Sequence, residues 1–401
     1  MNFSQIKELD QTYIAGTYAR NDLLVQQGKG ATCQDDTSRP LIDFSSGIGV
    51  NSIGYGNPAW VQAVKEQIDK LSHISNLYYT EPMARLAEAL CKRTGMKKVF
   101  FANSGAEANE GAIKTARKYM SDHYNGERDT ILTLVNSFHG RTIATLAATG
   151  QDTMHRHFGP FPQGFVHAKA NDIADLNAKL TDRVGAILLE CVQGEGGVIP
   201  LEQEFVDAVT DACRRRDILL MVDEVQTGVG RTGKFLALEH FGIQPDVVTL
   251  AKGLGGGLPI GAVLFGEKTQ DVLGKGDHGS TFGGNPVCCA GARAVLELMD
   301  DTFLARVAET GDYLRKRLEA MPGIVEVTGK GMMLGATLRE GLKNTDVIAA
   351  CGREGLILLP AKHKLRFLPP LTISREELDT GLAILEKVLT NLTNQTDKNG
   401  G

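Results

Sequence analysis

Three short apolar runs in the middle of the chain constrain its fold more than any other feature of the sequence. They span residues 218–222, 247–250 and 260–265, and apolar residues occupy most of their positions. Continuous runs of this length are typical of strands buried on both faces of a parallel sheet. Such sheets bind ligands just beyond the carboxyl ends of their strands. Because Asp223 and Lys252 follow the first two runs, the sequence predicts an acid and an amine at one sheet edge, where a cofactor would be held.

A second boundary, after the predicted strand 98–102, has the composition of a phosphate site. Asn103, Ser104, Gly105 and Ala106 form a turn of small residues before a predicted helix. The first amides of a helix are unpaired and carry the positive end of its dipole, and glycine lets an anion approach them closely. The same residues also suit an ordinary helix cap by Asn103 or Ser104. The turn alone does not distinguish the two interpretations.

An aromatic ring, an imidazole and a guanidinium follow the predicted strand 130–135, in the turn from Phe138 through His139 to Arg141. A guanidinium can clamp a carboxylate through two parallel hydrogen bonds. A Phe138 ring packed on the sheet and an ion-paired Arg141 would explain the same residues.

A further glycine-rich loop, residues 192–197, contains Glu195 at a position where local structure gives no reason for a carboxylate, which favours a functional role.

Composition and charge exclude several other classes of function. The net charge of −5 provides no field for nucleic acid or an anionic membrane, and no apolar stretch is long enough to cross a bilayer. Residues 1–10 lack the pattern of a signal peptide, so we expect a cytoplasmic protein. The seven cysteines are odd in number and form no CxxC pair, which predicts free thiols. The histidines lack the spacing of zinc ligands, so we expect no metal.

The length of the chain and the change of pattern along it predict more than one domain. A chain of 401 residues is long enough for two. Residues 1–50 are expected to form an N-terminal arm that joins the small domain, and residues 51–300 a large cofactor-binding domain. Residues 301–401 alternate short helices and strands, as a small α+β domain does.

Pyridoxal phosphate is the cofactor that the predicted sheet edge suits best. A flexible lysine followed by glycine-rich sequence, as at Lys252, is what a Schiff-base lysine needs. The pyridinium nitrogen of this cofactor requires a carboxylate, which Asp223 offers, and its ring face suits an aromatic such as Phe138. Its phosphate would bind at the turn 104–106. All these segments follow predicted strands, so they can converge on one edge of the sheet.

Sequence motifs over nearly the whole chain resemble those of the class III pyridoxal-phosphate aminotransferases. The matching blocks are NSGAEAN at 103–109, FHGR at 138–141, VDEVQTGVGRTG at 222–233, LAKG at 250–253, STFGGNP at 280–286 and LRFLPP at 365–370. Within the family, HISN at 73–76 and the compact length are most similar to the acetylornithine aminotransferases. The resemblance implies a fold-type I α/β structure, in which a large domain with a mostly parallel seven-stranded sheet is joined to a smaller α+β domain.

The resemblance also implies roles for the residues around the cofactor. Lys252 would form the Schiff base and, once displaced by the substrate amine, would move the proton between substrate carbon and cofactor. Asp223 would pair with the pyridine nitrogen, Gln226 with the phenolic oxygen, and Phe138 would stack on the ring. The phosphate would be held by Ser104, Gly105 and Ala106.

By the same family pattern, a second copy of the chain would complete each site. Thr281 would reach the phosphate of the neighbouring subunit's cofactor, and Ser280 would lie near the substrate. The resemblance therefore implies a homodimer, which complete sites require.

The resemblance further implies a reversible transamination of arginine biosynthesis with two substrates, and the charged residues around the expected site suit their carboxylates. The donor would be N2-acetylornithine, whose α-carboxylate would bind Arg141 and whose product would be N-acetylglutamate 5-semialdehyde. The other pair, 2-oxoglutarate and glutamate, needs a second cation, which Arg366 would supply. Glu195 resembles the family glutamate that pairs with this arginine. We therefore hypothesise a switch in which Glu195 masks Arg366 for acetylornithine and moves away for glutamate.

The family motifs alone leave the amino donor open. Ornithine, succinylornithine and 4-aminobutyrate aminotransferases, and the aminomutases, share the same apparatus. A cofactor-binding regulator is a candidate from another class, but it would need a DNA-binding domain, and residues 1–49 are too short and too weakly basic for one. A catalytically silent relative is expected to lack the lysine, and Lys252 is present.

Overall fold

A seven-stranded sheet lies at the centre of the structure, a computed structural model that describes residues 1–399. The strands of this range are β1 (Val25–Lys29), β2 (Thr32–Asp35), β3 (Pro40–Asp43), β4 (Lys98–Ala102), β5 (Thr130–Leu134), β6 (Phe165–Ala168), β7 (Val184–Leu189), β8 (Val192–Gln193), β9 (Ile199–Pro200), β10 (Leu219–Asp223), β11 (Val247–Leu250), β12 (Gly261–Phe265), β13 (Ile324–Lys330), β14 (Met333–Leu338), β15 (Leu356–Ile357), β16 (Leu359–Ala361) and β17 (Lys364–Phe367). The central sheet has the order β4-β12-β11-β10-β7-β5-β6. Two four-stranded sheets, β1-β2-β3-β15 and β13-β14-β17-β16, and the pair β8-β9 accompany it.

Helices surround these sheets. They are α1 (Phe3–Tyr13), α2 (Ser46–Gly49), α3 (Pro58–Lys70), α4 (Glu81–Thr94), α5 (Gly105–Tyr124), α6 (Ile143–Ala148), α7 (Asp152–His155), α8 (Ile173–Lys179), α9 (Gln203–Arg216), α10 (Pro286–Leu298), α11 (Asp301–Glu319), α12 (Asn344–Glu354) and α13 (Arg375–Asn399), with 3-10 turns at Ala237–His240 and Lys252–Gly255. The long helix α5 packs across β10, β11 and β12 of the central sheet. The short α2 is a left-handed turn, because Gly47 and Ile48 have φ angles of 61° and 63°.

The central sheet is parallel except for one strand. β10 pairs in parallel with β7 and β11, and β5 pairs in parallel with β6 and β7. The prediction of a mostly parallel seven-stranded sheet is confirmed. The prediction of a parallel strand at 260–265 is wrong, because β12 runs antiparallel to both β11 and β4. The connection between β11 and β12 is too short for a parallel crossover, which needs about a dozen residues or more and usually a helix.

Burial explains the continuous apolar runs of the sequence. Every residue of β5, β7, β10 and β11 is buried, so these strands contact apolar neighbours on both faces of the sheet. Polar residues begin where these strands end, and they gather along the carboxyl edge of the sheet.

The seven cysteines are free thiols. Within residues 1–399, no helix has both the length and the apolar character that crossing a membrane requires.

The first fifty residues, which were expected to join the small domain, form helices and strands of their own. The helix α1 is followed by the antiparallel strands β1, β2 and β3, and β15 pairs in parallel with β3. The N-terminal segment therefore shares a sheet with the last hundred residues. In those last residues helices α11 to α13 alternate with strands β13 to β17. The final positions, Gly400 and Gly401, lie outside the described residues.

Candidate cofactor and substrate site

Lys252 lies just beyond the carboxyl end of β11, where the chain turns into a 3-10 helix. Its φ of 41° is in the left-handed region, which strains a residue that has a side chain. Ser52 Oγ donates a hydrogen bond to Gly253 O (2.9 Å) and so anchors the next residue of the turn. Burial lowers the pKa of the Lys252 amine, although the nearby Glu195 carboxylate partly offsets this effect. A larger neutral fraction favours attack of the amine on an aldehyde.

Asp223, the last residue of β10, is buried in a network of hydrogen-bond donors. Its Oδ2 accepts from Asn109 Nδ2 (2.7 Å) and, with the proton on that ring nitrogen, from His139 Nδ1 (2.8 Å). Its Oδ1 accepts from Val225 N (3.0 Å). No lysine or arginine within residues 1–399 forms an ion pair with Asp223. The carboxylate is therefore fixed in position by three donors, and no lysine or arginine of the described chain competes with a cationic ligand for it.

The N-terminus of α5 has the features of both a helix cap and an anion site. Ser104 Oγ accepts a hydrogen bond from Glu107 N (3.2 Å), so the helix-cap interpretation of this residue is correct. The first amides of the helix still lack partners within it. A Cβ on Gly105 would lie 2.6 Å from Val225 Cγ1, so a side chain would have no room at that position. The cap and an anion site are compatible, because the cap uses the amide of Glu107 rather than those of Gly105 and Ala106.

The turn after β5 places an aromatic ring and a guanidinium beside the same cavity. Phe138 N donates a hydrogen bond to Glu190 Oε1 (2.8 Å), which fixes the start of the turn. The Arg141 guanidinium lies 5.6 Å from the centre of the Phe138 ring, within cation–π range. Arg141 is exposed and belongs to no ion pair of the described chain. The alternative of an ion-paired Arg141 is therefore not supported, and its guanidinium is accessible to a carboxylate.

Arg366 on β17 forms an ion pair next to Gln226, which lines the cavity, although neither Arg366 nor its partner Glu195 lines the cavity itself. Its Nη1 donates to Glu195 Oε1 (2.5 Å) and to Gln226 Oε1 (3.3 Å). Burial alone would raise the pKa of Glu195, but the Arg366 guanidinium, together with Lys252 and Gln226, more than offsets burial and lowers that pKa. The Nε of Arg366 is buried and has no hydrogen-bond partner in the described chain. The structure thus brings together the two residues that the sequence predicted to act as a pair.

Ser280 and Thr281 lie in the loop before α10, but they face different surroundings. Asn103 Nδ2 donates to Ser280 Oγ (3.1 Å), so Ser280 lies beside the turn at the start of α5. Asn76 Nδ2 donates to Ser280 O (3.0 Å) and to Gly283 O (2.8 Å), and these bonds fix the loop. Thr281 is exposed and does not line the cavity of its own chain.

The side chains at the sheet edge line one cavity of about 470 Å³. The predicted residues on its wall are Ser104, Gly105, Ala106, Phe138, Arg141, Asp223, Gln226 and Lys252. The volume lies within the range of small-molecule and cofactor sites. The wall offers a buried carboxylate, an amine, an aromatic ring and a helix N-terminus. Pyridoxal phosphate requires these four groups for its ring nitrogen, aldehyde, ring face and phosphate, so the residues fit this cofactor.

Comparison with known proteins identifies the family. The model of the family described as aminotransferase class-III matches residues 13–389. The chain belongs to the class III aminotransferases. The predicted resemblance is therefore confirmed, and so is the prediction of pyridoxal phosphate as the cofactor of this aminotransferase.

Individual relatives of the aminotransferase are similar over almost its full length. An acetylornithine aminotransferase from Haemophilus ducreyi is 53% identical over 393 residues, which cover 98% of this chain and 100% of the relative. A succinylornithine transaminase from Yersinia pseudotuberculosis is 43% identical over 387 residues, covering 93% of this chain and 94% of the relative. The ornithine aminotransferase of Toxoplasma gondii, solved with partial occupancy of its pyridoxal phosphate, has a TM-score of 0.93 at 30% identity. That match covers 98% of this chain and 96% of the solved one.

The structure adds three side chains to the site that the sequence did not assign. Asn109 and His139 both donate to Asp223, and Glu190 accepts from the backbone next to the aromatic platform. Asn109 and His139 lie inside the sequence motifs that resemble the family, and their place in these motifs is the signal that could have identified them. For Glu190 the sequence offers one signal, a charged residue directly after a fully apolar run.

Proposed function

We propose that this aminotransferase uses pyridoxal phosphate to transfer the terminal amino group of N2-acetylornithine to 2-oxoglutarate. The products are N-acetylglutamate 5-semialdehyde and glutamate, in a reversible reaction of arginine biosynthesis. The Glu195–Arg366 pair beside Gln226 is the observation that carries the proposal, because it offers a second carboxylate site that opens only when the pair separates. The 53% sequence identity with an acetylornithine aminotransferase supports the choice of donor.

Lys252 and Asp223 have separate parts in the proposed chemistry. Bound at Lys252, pyridoxal phosphate supplies an electron sink that stabilises negative charge on the substrate carbon. The negative charge of Asp223 keeps the ring nitrogen protonated, while Asn109 and His139 hold the carboxylate in place. The Lys252 amine, once free, would act as the base that moves the proton between that substrate carbon and the cofactor. Phe138 supports the ring face.

The two substrates are distinguished by where their carboxylates bind. Arg141 is accessible at the cavity and takes the α-carboxylate of acetylornithine, whose terminal amine then faces Lys252. Glutamate presents its α-amine instead, so its α-carboxylate requires Arg366. Glu195 covers Arg366 during the first half-reaction and leaves it during the second. Ser280 lies near the bound substrate.

We further propose a homodimer in which Thr281 of one subunit binds the cofactor phosphate of the other. Thr281 is exposed beside apolar side chains that a monomer would leave in water: Phe282 is 62% exposed, Leu77 87% and Tyr79 104%. Asn76 joins the two segments through its bonds to the loop before α10. Exposed apolar side chains in one region support an interface between subunits.

The domain division and the location belong to the same proposal. Residues 1–50 join the small domain of residues 301–401, and residues 51–300 bind the cofactor. The parallel pairing of β3 with β15 supports the first part of this division. A cytoplasmic location fits the free cysteines and the biosynthetic reaction.

The visible absorption spectrum of the purified protein tests the cofactor and the donor separately. We expect a yellow protein whose visible band disappears on addition of acetylornithine and returns with 2-oxoglutarate. A colourless protein that takes up no pyridoxal phosphate would contradict the cofactor, and a band unchanged by acetylornithine would contradict the donor.

Succinylornithine is the strongest competing donor, because a succinylornithine transaminase is 43% identical to the chain. A panel of acetylornithine, succinylornithine, ornithine and 4-aminobutyrate with 2-oxoglutarate ranks them by kcat/KM. We expect acetylornithine to rank first. A higher kcat/KM for any other donor would replace the proposed substrate by that donor.

A further inference from the structure

Glu190 is a buried carboxylate on the cavity wall that has no part in the chemistry proposed above. It follows β7, is 4% exposed, and forms no ion pair within residues 1–399. Its Oε1 accepts a hydrogen bond from Phe138 N (2.8 Å), and its Oε2 accepts one from Gly194 N (3.3 Å). One side chain therefore connects the turn that presents the aromatic ring with the loop that presents Glu195.

The same two segments also touch at points beyond Glu190. Gln193 Nε2 donates to Val135 O (2.9 Å). A Cβ on Gly196 would lie 2.7 Å from Asn136 O, so the loop lies against the backbone of the turn with no space for a side chain. Because the contact is this close, a displacement of one segment is transmitted to the other.

We propose that Glu190 is a positioning residue that holds the Phe138 ring platform and the Glu195 loop in register. This inference rests on the proposed function, which assigns the cofactor ring to Phe138 and the substrate switch to Glu195. A carboxylate suits the position because both of its oxygens accept hydrogen bonds when it is ionised. An amide, or a protonated carboxyl group, would place a donor against one of the two backbone N–H groups.

The surroundings of Glu190 bring its ionisation into the neutral pH range. Burial raises the pKa of Glu190 to about 7, with His139 opposing the shift and the Asp223 carboxylate adding to it. The Lys252 amine lines the same cavity. Burial also raises the pKa of the adjacent Cys191 well above its ordinary value, so that thiol stays neutral. Glu190 is therefore ionised above about pH 7, and the ionised form accepts both hydrogen bonds.

Binding of pyridoxal phosphate to the cofactor-free enzyme tests this role without turnover. Trp60 is the single tryptophan of the chain, and its Nε1 donates to Gly255 O (3.0 Å) in the turn that begins with Lys252. Its emission therefore reports on the cofactor site. The wild type, Glu190→Gln and Glu190→Asp are titrated with pyridoxal phosphate from about pH 6 to about pH 9, a range that spans the ionisation. Glu202→Gln, at an exposed position before α9, is the matched control.

Weaker binding that depends on pH is the expected result for Glu190→Gln. Its dissociation constant exceeds that of the wild type by about tenfold near pH 8.5, and the two converge near pH 6, where the wild type carries a protonated Glu190. Glu190→Asp keeps the charge but is too short to reach both N–H groups, so it is also weakened. A ratio for Glu190→Gln that is constant with pH, or wild-type affinity of Glu190→Asp, would overturn the proposal.

Single-turnover kinetics test the link to the Glu195 loop. We expect Glu190→Gln to slow the acetylornithine half-reaction in the wild-type background and to have little further effect on it in a Glu195→Ala background. Additive effects would show that Glu190 does not act through the loop. A failure of the proposed function would look different, because the wild type would then bind pyridoxal phosphate but show no half-reaction with acetylornithine.

Discussion

Replacement of Glu195 by alanine separates the two half-reactions that the site is proposed to perform. In the proposed switch, Glu195 neutralises Arg366 during the acetylornithine half-reaction, so the α-carboxylate of the donor has Arg141 as its cation. Without Glu195, the uncovered Arg366 competes for that carboxylate and draws the donor into the wrong orientation. In the glutamate half-reaction the same proposal has the pair open. We therefore expect Glu195→Ala to impair the first half-reaction far more than the second.

The geometry of the pair sets the size of the effect. Glu195 Oε1 lies 2.5 Å from Arg366 Nη1, and the two side chains are 27% and 4% exposed, so the contact is largely shielded from water. Hydrogen bonds to charged groups contribute about 1.5 to 3 kcal/mol, and about 1.4 kcal/mol corresponds to a factor of ten. Loss of the contact thus corresponds to about a 10- to 100-fold decrease. Gln226 cannot replace Glu195, because its oxygen is neutral and lies 3.3 Å from the same nitrogen.

Single-turnover kinetics measure each half-reaction alone. The enzyme in its pyridoxal form is mixed with acetylornithine or with glutamate, and the loss of visible absorbance is followed by stopped flow. We expect kcat/KM for acetylornithine to fall by about 10- to 100-fold in Glu195→Ala, while the value for glutamate changes by less than about threefold. Glu204→Ala, an exposed glutamate in the first turn of α9, is the matched control and leaves both values unchanged.

Equal impairment of the two half-reactions would refute the switch, because it would mean that Glu195 supports the site as a whole. A larger loss with glutamate would also refute it, since that result would make Glu195 part of the glutamate site. Glu195→Gln keeps the size of the side chain but removes its charge, and we expect it to resemble Glu195→Ala. Wild-type behaviour of Glu195→Gln would show that shape, rather than neutralisation of Arg366, is what the site requires.

Four further predictions follow from the same structure. Lys252→Ala should lose turnover while keeping its circular dichroism spectrum, and added small primary amines should restore part of the activity; full activity without them would exclude Lys252 as the base. Asp223→Asn should lower kcat by about 100- to 1000-fold through the lost charge, and a near-normal kcat would exclude its role. Thr281→Ala should bind pyridoxal phosphate weakly, and mixing it with Lys252→Ala should restore activity at limiting cofactor in hybrid dimers; no recovery would contradict the shared site. Arg231→Met should lower the free energy of unfolding in urea by about 3 kcal/mol, since the buried guanidinium donates to the carbonyls of Met332 and Pro369, and an unchanged value would contradict its structural role.

The parts of the site that the sequence predicts are those that depend on local chain geometry. Asp223 and Lys252 follow buried strands, and the residues after parallel strands meet at one edge of a sheet whatever the rest of the chain does. Ser104 caps α5 because a small hydroxyl residue before a helix bonds its first turn. Such features need only a few neighbouring residues, so they are visible in a single sequence.

The parts that the sequence did not predict depend on contacts between distant segments. His139 bonds Asp223 across 84 positions, and Glu190 bonds Phe138 across 52. Neither contact leaves a periodic pattern, because each requires the three-dimensional order of the strands. The direction of β12 belongs to the same class, since an apolar run is equally compatible with either direction. The direction follows from the connection of residues 251–260, which is too short for a parallel crossover.

Asp223 and Glu190 on the cavity wall and Glu195 beside Gln226 differ in the partners that fix them, and in the proposed mechanism this difference lets one site serve two substrates. Asp223 is held by an amide, an imidazole and a backbone N–H, so its charge is left for the cofactor. Glu190 is held by backbone N–H groups, so it can order the walls without binding a substrate. Of the three, Glu195 alone pairs with an arginine, and a substrate carboxylate can take its place there. Under the proposed switch, the one carboxylate of the three that a substrate can replace is therefore the one whose replacement distinguishes glutamate from the terminal-amine donor.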